Sequence, residues 1–450
     1  MDSLPVELVQ LVYQYCDGPS VRALRLASGR YADVGYEYLI DPHFNAVEWR
    51  DDISRLRSIA GHDRLRSSIR SLTFNFTKVD EYTARHTSFF QHYFEEPEER
   101  NALLQNAWVR YYELEETARK LPPFHSRSTT VEEAFKRLPN LKDLEITLTK
   151  CPYDIPLLQE VFQAGIGRKR DRNQVCKNMN AIVSAIRHMR LSSLSIDQLP
   201  LEIFRLANDR RHWFDCARSF SSLSRLSLVL DPPANLLPSA RHRAINGLGG
   251  VLHYSVNLTH LSLAFHNYHA PMQKFHLSFA ALFPGGGGGA PEFTYAKLTD
   301  LKLEGISCGE EDLKSFILRH GATLERLRLG GRGLAKPDEC SMGGVHLHEG
   351  SFRGLFSGLR GKMPRLGRFH MEGDAAAGDY MASSREVYLF SPVTDDEWEP
   401  IVLGGKEEER AERREGLAAR VKTVNCLGLE KFLVDGGEYP RLGREVVASY

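Results

Sequence analysis

At 450 residues the chain is long enough for several domains or one extended repeat array, and 42% hydrophobic with 26% charged residues is an ordinary globular composition. Lys plus Arg and Asp plus Glu both number 58, so no global field draws the protein to nucleic acid or to an anionic membrane. There is no apolar run near the ~18 residues of a membrane span and no secretory signal at Met1-Asp2-Ser3-Leu4-Pro5, and the seven cysteines are scattered without a C-x-x-C pair, which predicts a soluble cytoplasmic or nuclear protein with free thiols.

The first residues read as helices. Leu4, Leu8, Leu11, Val12 and Tyr15 fall on one face of a helix that Pro5 starts and Asp17-Gly18 stops. A second helix begins after Pro19-Ser20 and carries Val21, Leu24 and Ala27, and Val34, Tyr38 and Leu39 close a compact helical unit over residues 1–42. The runs Leu4-Pro5-Val6-Glu7-Leu8-Val9, Val12 to Asp17 and Leu24-Arg25-Leu26-Ala27-Ser28 resemble the F-box motif, whose usual opening is Leu-Pro-x-Glu-Leu. In that family the motif is a helical hairpin that docks on the Skp adaptor of a cullin-RING ubiquitin ligase. The resemblance implies that Leu4 and Pro5 meet the adaptor and that Leu8, Val12 and Leu24 are apolar positions of the hairpin. Late in the motif the family often has a Trp, and the nearest equivalents here are Tyr36, Tyr38 and Leu39. The same helices also fit a cap on the end of a repeat array.

Residues 43–140 read as a first repeat with an insert. Ile69, Leu72 and Phe74 mark its strand, and Phe89, Phe90, Tyr93, Phe94, Trp108, Tyr111 and Tyr112 are expected to form the core of extra helices.

From residue 141 to 450 one pattern recurs. L-x-x-L-x-(aliphatic) occurs at Leu141-Leu144-Ile146, Leu191-Leu194-Ile196, Leu223-Leu226-Leu228, Leu258-Leu261-Leu263, Leu298-Leu301-Leu303 and Leu324-Leu327-Leu329. Random order would give about two such matches. Looser copies stand at Leu366-Phe369-Met371 and Leu429-Phe432-Val434. Apolar residues at helical spacing precede several strands: Ile182, Ile186 and Met189; Ile245, Leu248 and Leu252; Leu313, Phe316 and Ile317; Phe352, Leu355, Phe356 and Leu359. A strand and a helix that each have one apolar face hide it only against their neighbours in a stack. The expected fold is therefore α/β, an irregular leucine-rich-repeat solenoid with parallel strands inside the curve, helices outside and an N-terminal F-box-like unit. The glycines of 284–291 form a loop, and the Lys, Glu and Arg of 404–414 a solvated helix.

Between the inward leucines the strands present polar residues, among them Arg225, His260, Asp300, Lys302, Glu304 and Glu325. Arg326, Arg328, Arg368 and His370 collect toward the C-terminus and suit an acidic or phosphorylated protein segment; the alternative is a network in which these arginines pair with Glu304, Glu325 and Glu372. Gly305-Ile306-Ser307-Cys308-Gly309 fits the G-x-S-x-G of a serine hydrolase, with Asp338 or Glu349 and His370 as nominal partners, but its strand belongs to the repeat series. Neither His260, His266, His269 and His276 nor Cys340, His346 and His348 has the spacing of a structural zinc site, and Arg168 to Arg172 reads as a solvated loop.

The expected function is a non-catalytic substrate receptor of a Skp-cullin-F-box ubiquitin ligase, binding a protein substrate on the repeats, with no cofactor, metal, nucleic acid or membrane. A leucine-rich scaffold without ligase association is the alternative, and a hydrolase using Ser307 is another.

Overall fold

Where leucine alternates with polar residues the backbone extends, and where apolar residues recur every third or fourth position it coils. The computed structural model describes residues 4–81, 97–162, 171–206, 219–233, 237–268, 270, 273–283, 293–334, 341–378, 386–390 and 426–440. The last two positions of all six strict leucine motifs lie on strands, as do those of the looser ones at Ile69 and Leu366, and the first position of each comes two residues before its strand. The copy at Leu429-Phe432-Val434 does not; it lies in the helix Cys426–Val434. Leu429, Phe432 and Leu433 are buried at i, i+3, i+4, and the strand motif shares only the i, i+3 step with such a helix.

Two compact units emerge, Met1–Asp197 with Arg211–Ser222, and Gln198–Arg210 with Leu223–Tyr450. Compactness therefore separates the chain within the strand series.

The first unit opens with helices α1 (Val6–Gln14), α2 (Gly18–Ala27) and α3 (Gly29–Val34). Asp17 does not end α1, as its turn chemistry suggested. It caps α2, its carboxylate accepting from the Ser20 N–H at 2.9 Å, so that α2 begins before Pro19. Val9, Tyr13, Val21 and Tyr31 form the core of these helices. Tyr13 stacks on Tyr38 at 5.3 Å and donates its hydroxyl to the Tyr31 carbonyl at 2.9 Å. Any Cβ at Gly35 would lie 2.4 Å from the Tyr13 ring, so this close approach requires glycine.

Strands β1 (His43–Val47), β2 (Ser71–Asn75), β3 (Asp143–Thr147) and β4 (Ser193–Pro200) follow, parallel and in register, with Phe44, Leu72, Leu144 and Leu194 forming one buried row. Helices α4 (Asp52–Gly61), α6 (Ser128–Lys136) and α8 (Arg172–Ile186) pack successively on one another. Between β2 and α6, helix α5 (Pro97–Arg119) packs on α7 (Pro156–Phe162). Tyr111 is buried there with Phe162 and Trp108 lies against them, so Tyr111 and Trp108 of the expected aromatics belong to a core, whereas Tyr112 is exposed. Phe89, Phe90, Tyr93 and Phe94 lie outside the described residues.

The second unit has two rows of strands. One consists of β5 (Arg225–Asp231), β6 (His260–Phe265), β8 (Asp300–Glu304), β10 (Arg326–Gly330) and the first half of β12 (Arg368–Ala377), all parallel. The other consists of β7 (Phe275–His276), β9 (Ile306–Gly309), β11 (His346–Glu349) and the second half of β12, with β13 (Glu386–Phe390) antiparallel beyond it. Gly305 turns the chain from β8 to β9 at φ +68°; a side chain there would meet the Phe265 carbonyl oxygen at 2.1 Å. Helices α9 (Pro238–Tyr254), α10 (Phe279–Leu282), α11 (Glu310–Arg319) and α12 (Phe352–Leu359) pack in sequence, and Cys426–Val434, α13, packs on β12. Stacked Phe279, Phe316 and Phe283 fill part of the core. Tyr295 is fully buried, its hydroxyl bonded to the Leu252 carbonyl at 3.0 Å and its N–H to His320 Nε2 at 3.1 Å. No described helix is long and apolar enough to cross a membrane.

Candidate functional site

Helix α1 is apolar on two sides. Val9 and Tyr13 face its own core, while Leu8, Leu11, Val12 and Tyr15, spaced i, i+3, i+4, i+7, share the opposite face. Those four side chains are 47%, 47%, 48% and 86% exposed, and Leu26 on α2 is 89% exposed. Of the residues expected at an adaptor, Leu8 and Val12 thus lie on this stripe and Pro5 is exposed beside α1. Leu4 and Leu24 turn inward against the helical core, and Arg30 donates to the Leu4 carbonyl. Tyr15 and Leu26 were not among the expected contacts; the helical period picks out both, since Tyr15 continues the stripe of α1 and Leu26 lies about 200° round α2 from the inward Leu24.

A second set of contacts joins these helices to residues 62–64. Tyr36 is faced by two guanidinium groups, Arg25 at 4.8 Å and Arg64 at 4.1 Å from its ring centre, and it stacks on His62. Arg64 also bonds the Asp33 carboxylate at 3.0 Å and the Asp33 carbonyl at 3.1 Å.

On the second unit's strands the expected substrate residues are mostly covered. Arg328, Arg368 and His370 are only 9%, 3% and 5% exposed. Arg326 is paired with Asp300 at 2.6 Å and donates to His260 Nε2 at 3.1 Å. In register, Arg225, His260, Asp300, Arg326 and Arg368 form one row across five strands. A second row runs Ser227, Ser262, Lys302, Arg328 and His370. Within the first row Arg225 is exposed and His260 is half-buried.

Carboxylates populate the end of the same strands. Glu304 is buried, which pushes its pKa up, but Lys302 at 2.7 Å and His266 at 2.9 Å outweigh the burial and hold it well below the usual range. Glu372 is likewise buried; burial, reinforced by the charge of Glu304, raises it to about 7 although Lys302 and Arg328 oppose the rise. Of the carboxylates weighed as partners for the arginines, Glu304 pairs with Lys302, and Glu325 pairs with Arg365.

Ser307 lies inside strand β9 and not on a sharp strand-to-helix turn. Its hydroxyl meets His346 Nδ1 at 2.9 Å, and His346 Nε2 meets the Gly378 carbonyl at 2.8 Å. Both side chains are buried, and the carbonyl fixes the tautomer in which Nδ1 accepts from Ser307. The pair joins strands β9 and β11 to the residue that follows β12. The nominal partner His370 is elsewhere, on the first half of β12, and Asp338 lies outside the described residues. Among the described residues no three His, Cys, Asp or Glu side chains could hold a metal. His266 binds Glu304, and His276 stands against His348, their ring centres 4.7 Å apart, at the mouth of an open pocket with Glu310 and Asp312. His269, Cys340, 284–291, 404–414 and Arg168 to Arg170 lie outside the described residues.

Compared with known proteins, the chain matches no family model and no curated protein.

Proposed function

We propose that the protein is the substrate-recognition subunit of a Skp-cullin-F-box type ubiquitin ligase, with residues 1–42 as an F-box and the strand–helix units as an irregular leucine-rich-repeat array. The stripe Leu8, Leu11, Val12 and Tyr15 carries this reading. Beside a core formed by Val9 and Tyr13, this second apolar face of α1 is left open among the described residues, and a stripe at this spacing is what a helix presents to a hydrophobic partner surface. The opening Leu4-Pro5-Val6-Glu7-Leu8 and the strand–helix repetition that follows it support the same assignment. The protein would make no bond itself; it would raise the concentration of a bound substrate beside catalytic subunits.

Co-purification of the full chain with the Skp adaptor tests this. Wild type is expected to capture the adaptor, and a Leu8→Gln, Leu11→Gln, Val12→Gln variant, altered only on the exposed face, is expected to lose capture while staying folded. Failure of the folded wild type to capture the adaptor would leave a leucine-rich scaffold.

A further inference from the structure

The strand row of the second unit has a charge balance that a peptide partner would notice. Its side chains come from the same position of neighbouring strands, about 4.8 Å apart. Arg225 is beside His260, His260 beside Asp300 and Asp300 beside Arg326. Asp300 neutralises Arg326 at 2.6 Å, which leaves the exposed Arg225 as the excess charge of this group. His260 takes a hydrogen bond from Arg326 on Nε2 and meets the Thr259 hydroxyl through Nδ1 at 2.7 Å. It therefore stands as a neutral imidazole. Ser227 and Ser262, half-buried in the next row of the same face, supply hydroxyl donors.

We propose that Arg225, His260 and Arg326, with the hydroxyls of Ser227 and Ser262, hold a phosphorylated side chain of an extended protein segment. This rests on the reading of the repeats as a substrate surface. Arg225 is the anchor, since its planar fork matches two phosphate oxygens. Counting Arg225, Arg326 and Asp300 gives one net positive charge, and protonation of His260 makes it two, which matches the charge of about −2 on a phosphomonoester. A carboxylate needs only the first. His260 is thus the element that separates the two ligands, taking up a proton as the dianion arrives and Arg326 turns from the imidazole to the phosphate.

The groups facing His260 fit that role. Burial lowers its pKa, Arg326 and Arg225 lower it further, and Asp300 and Glu325 oppose them; Glu325 is itself paired with Arg365. A dianion placed among them tips the balance toward the imidazolium. Arg328, Arg368 and His370 take no part because they are buried.

The test is calorimetric titration of the full chain with a short peptide of phosphoserine flanked by glycine and alanine, beside its serine and aspartate counterparts, from pH 6.0 to 8.0. The phosphopeptide is expected to bind at least about tenfold tighter than either counterpart, with affinity rising as pH falls from 7.5 to 6.5. Arg225→Ala is expected to weaken binding about tenfold, the loss of one charge-assisted contact. His260→Gln is expected to flatten the pH dependence. Equal binding of the three peptides, an aspartate peptide as tight as the phosphopeptide, or unchanged affinity in Arg225→Ala would each overturn the assignment. Adaptor capture by Arg225→Ala should match wild type. Loss of the phosphopeptide with capture intact bears on this site alone, and absence of capture with phosphopeptide binding intact bears on the ligase reading alone.

Discussion

The Glu430 carboxylate on α13 accepts a hydrogen bond from the backbone N–H of Phe369 on β12 at 3.0 Å, and both residues are buried. The first half of β12 pairs with β10 through its other edge, so this side chain occupies an N–H that another strand would otherwise take. Glu430→Ala leaves that N–H unsatisfied and is expected to lower stability by about 1–3 kcal/mol in urea unfolding. Glu430→Gln keeps an accepting oxygen and should recover much of the loss. An alanine variant as stable as wild type would show that the contact does not hold the strand edge.

Gly330 at φ +93° would place a Cβ 1.9 Å from the Glu372 carbonyl oxygen. Both conformation and contact forbid a side chain, so Gly330→Ala is expected to cost more than about 2 kcal/mol, well beyond the gain of about 0.4–1 kcal/mol seen for Gly→Ala at permissive sites. Gly361 also has a positive φ, but nothing lies near its missing Cβ; Gly361→Ala should therefore be milder, and thermal unfolding of the two variants compares them directly.

Two buried groups give opposite pH dependences. Glu372 is raised to about 7 from 4.5, so between these values the unfolded chain has lost the proton that the folded state keeps; stability from this group is greatest below about 4.5 and falls as pH rises to about 7. His320 is lowered to about 4 by burial, although its bond to the Phe316 carbonyl opposes the shift. Its contribution is present above 6.5 and is lost as pH falls toward 4. Each amounts to about 3 kcal/mol over its range. Glu372→Gln should therefore gain most, relative to wild type, above pH 7, and denaturant titrations at pH 5 and 8 would reveal a flat difference if Glu372 were ionised throughout.

The buried Ser307 hydroxyl satisfies His346, so Ser307→Ala is expected to cost about 1–3 kcal/mol. A fluorophosphonate probe should not label the folded protein, because Ser307 and His346 are enclosed. Labelling that disappears in Ser307→Ala would restore the hydrolase reading.

Much of the strand series was legible because inward leucines and outward polar residues repeat with the period of an extended chain. At Leu429 that pattern met a helix, since the i, i+3 step of Leu429 and Phe432 fits both periods while the helix buries Leu433 in place of Val434. Helix boundaries were less legible where one residue has two uses: Asp17 is both a turn former and a cap. The direction of the α1 stripe was half-visible, in that one face was apolar, but Val9 and Tyr13 on the other face are apolar too and only packing decides which faces inward. Covering of Arg328, Arg368 and His370 was invisible, because a strand pattern says which side a residue takes and not whether that side is open. Glu430 and Phe369 are far apart in sequence, and no local pattern announces their contact.

The grip on Tyr36 has a mechanical meaning. With Arg25 on α2 and Arg64 both set against one ring, and Arg64 tied to Asp33, these contacts favour one placement of the three helices against residues 62–64, each by about 1 kcal/mol or less. A protein seated on the stripe of α1 would then be aimed by the contacts gathered around Tyr36 as well as by the length of residues 39–42.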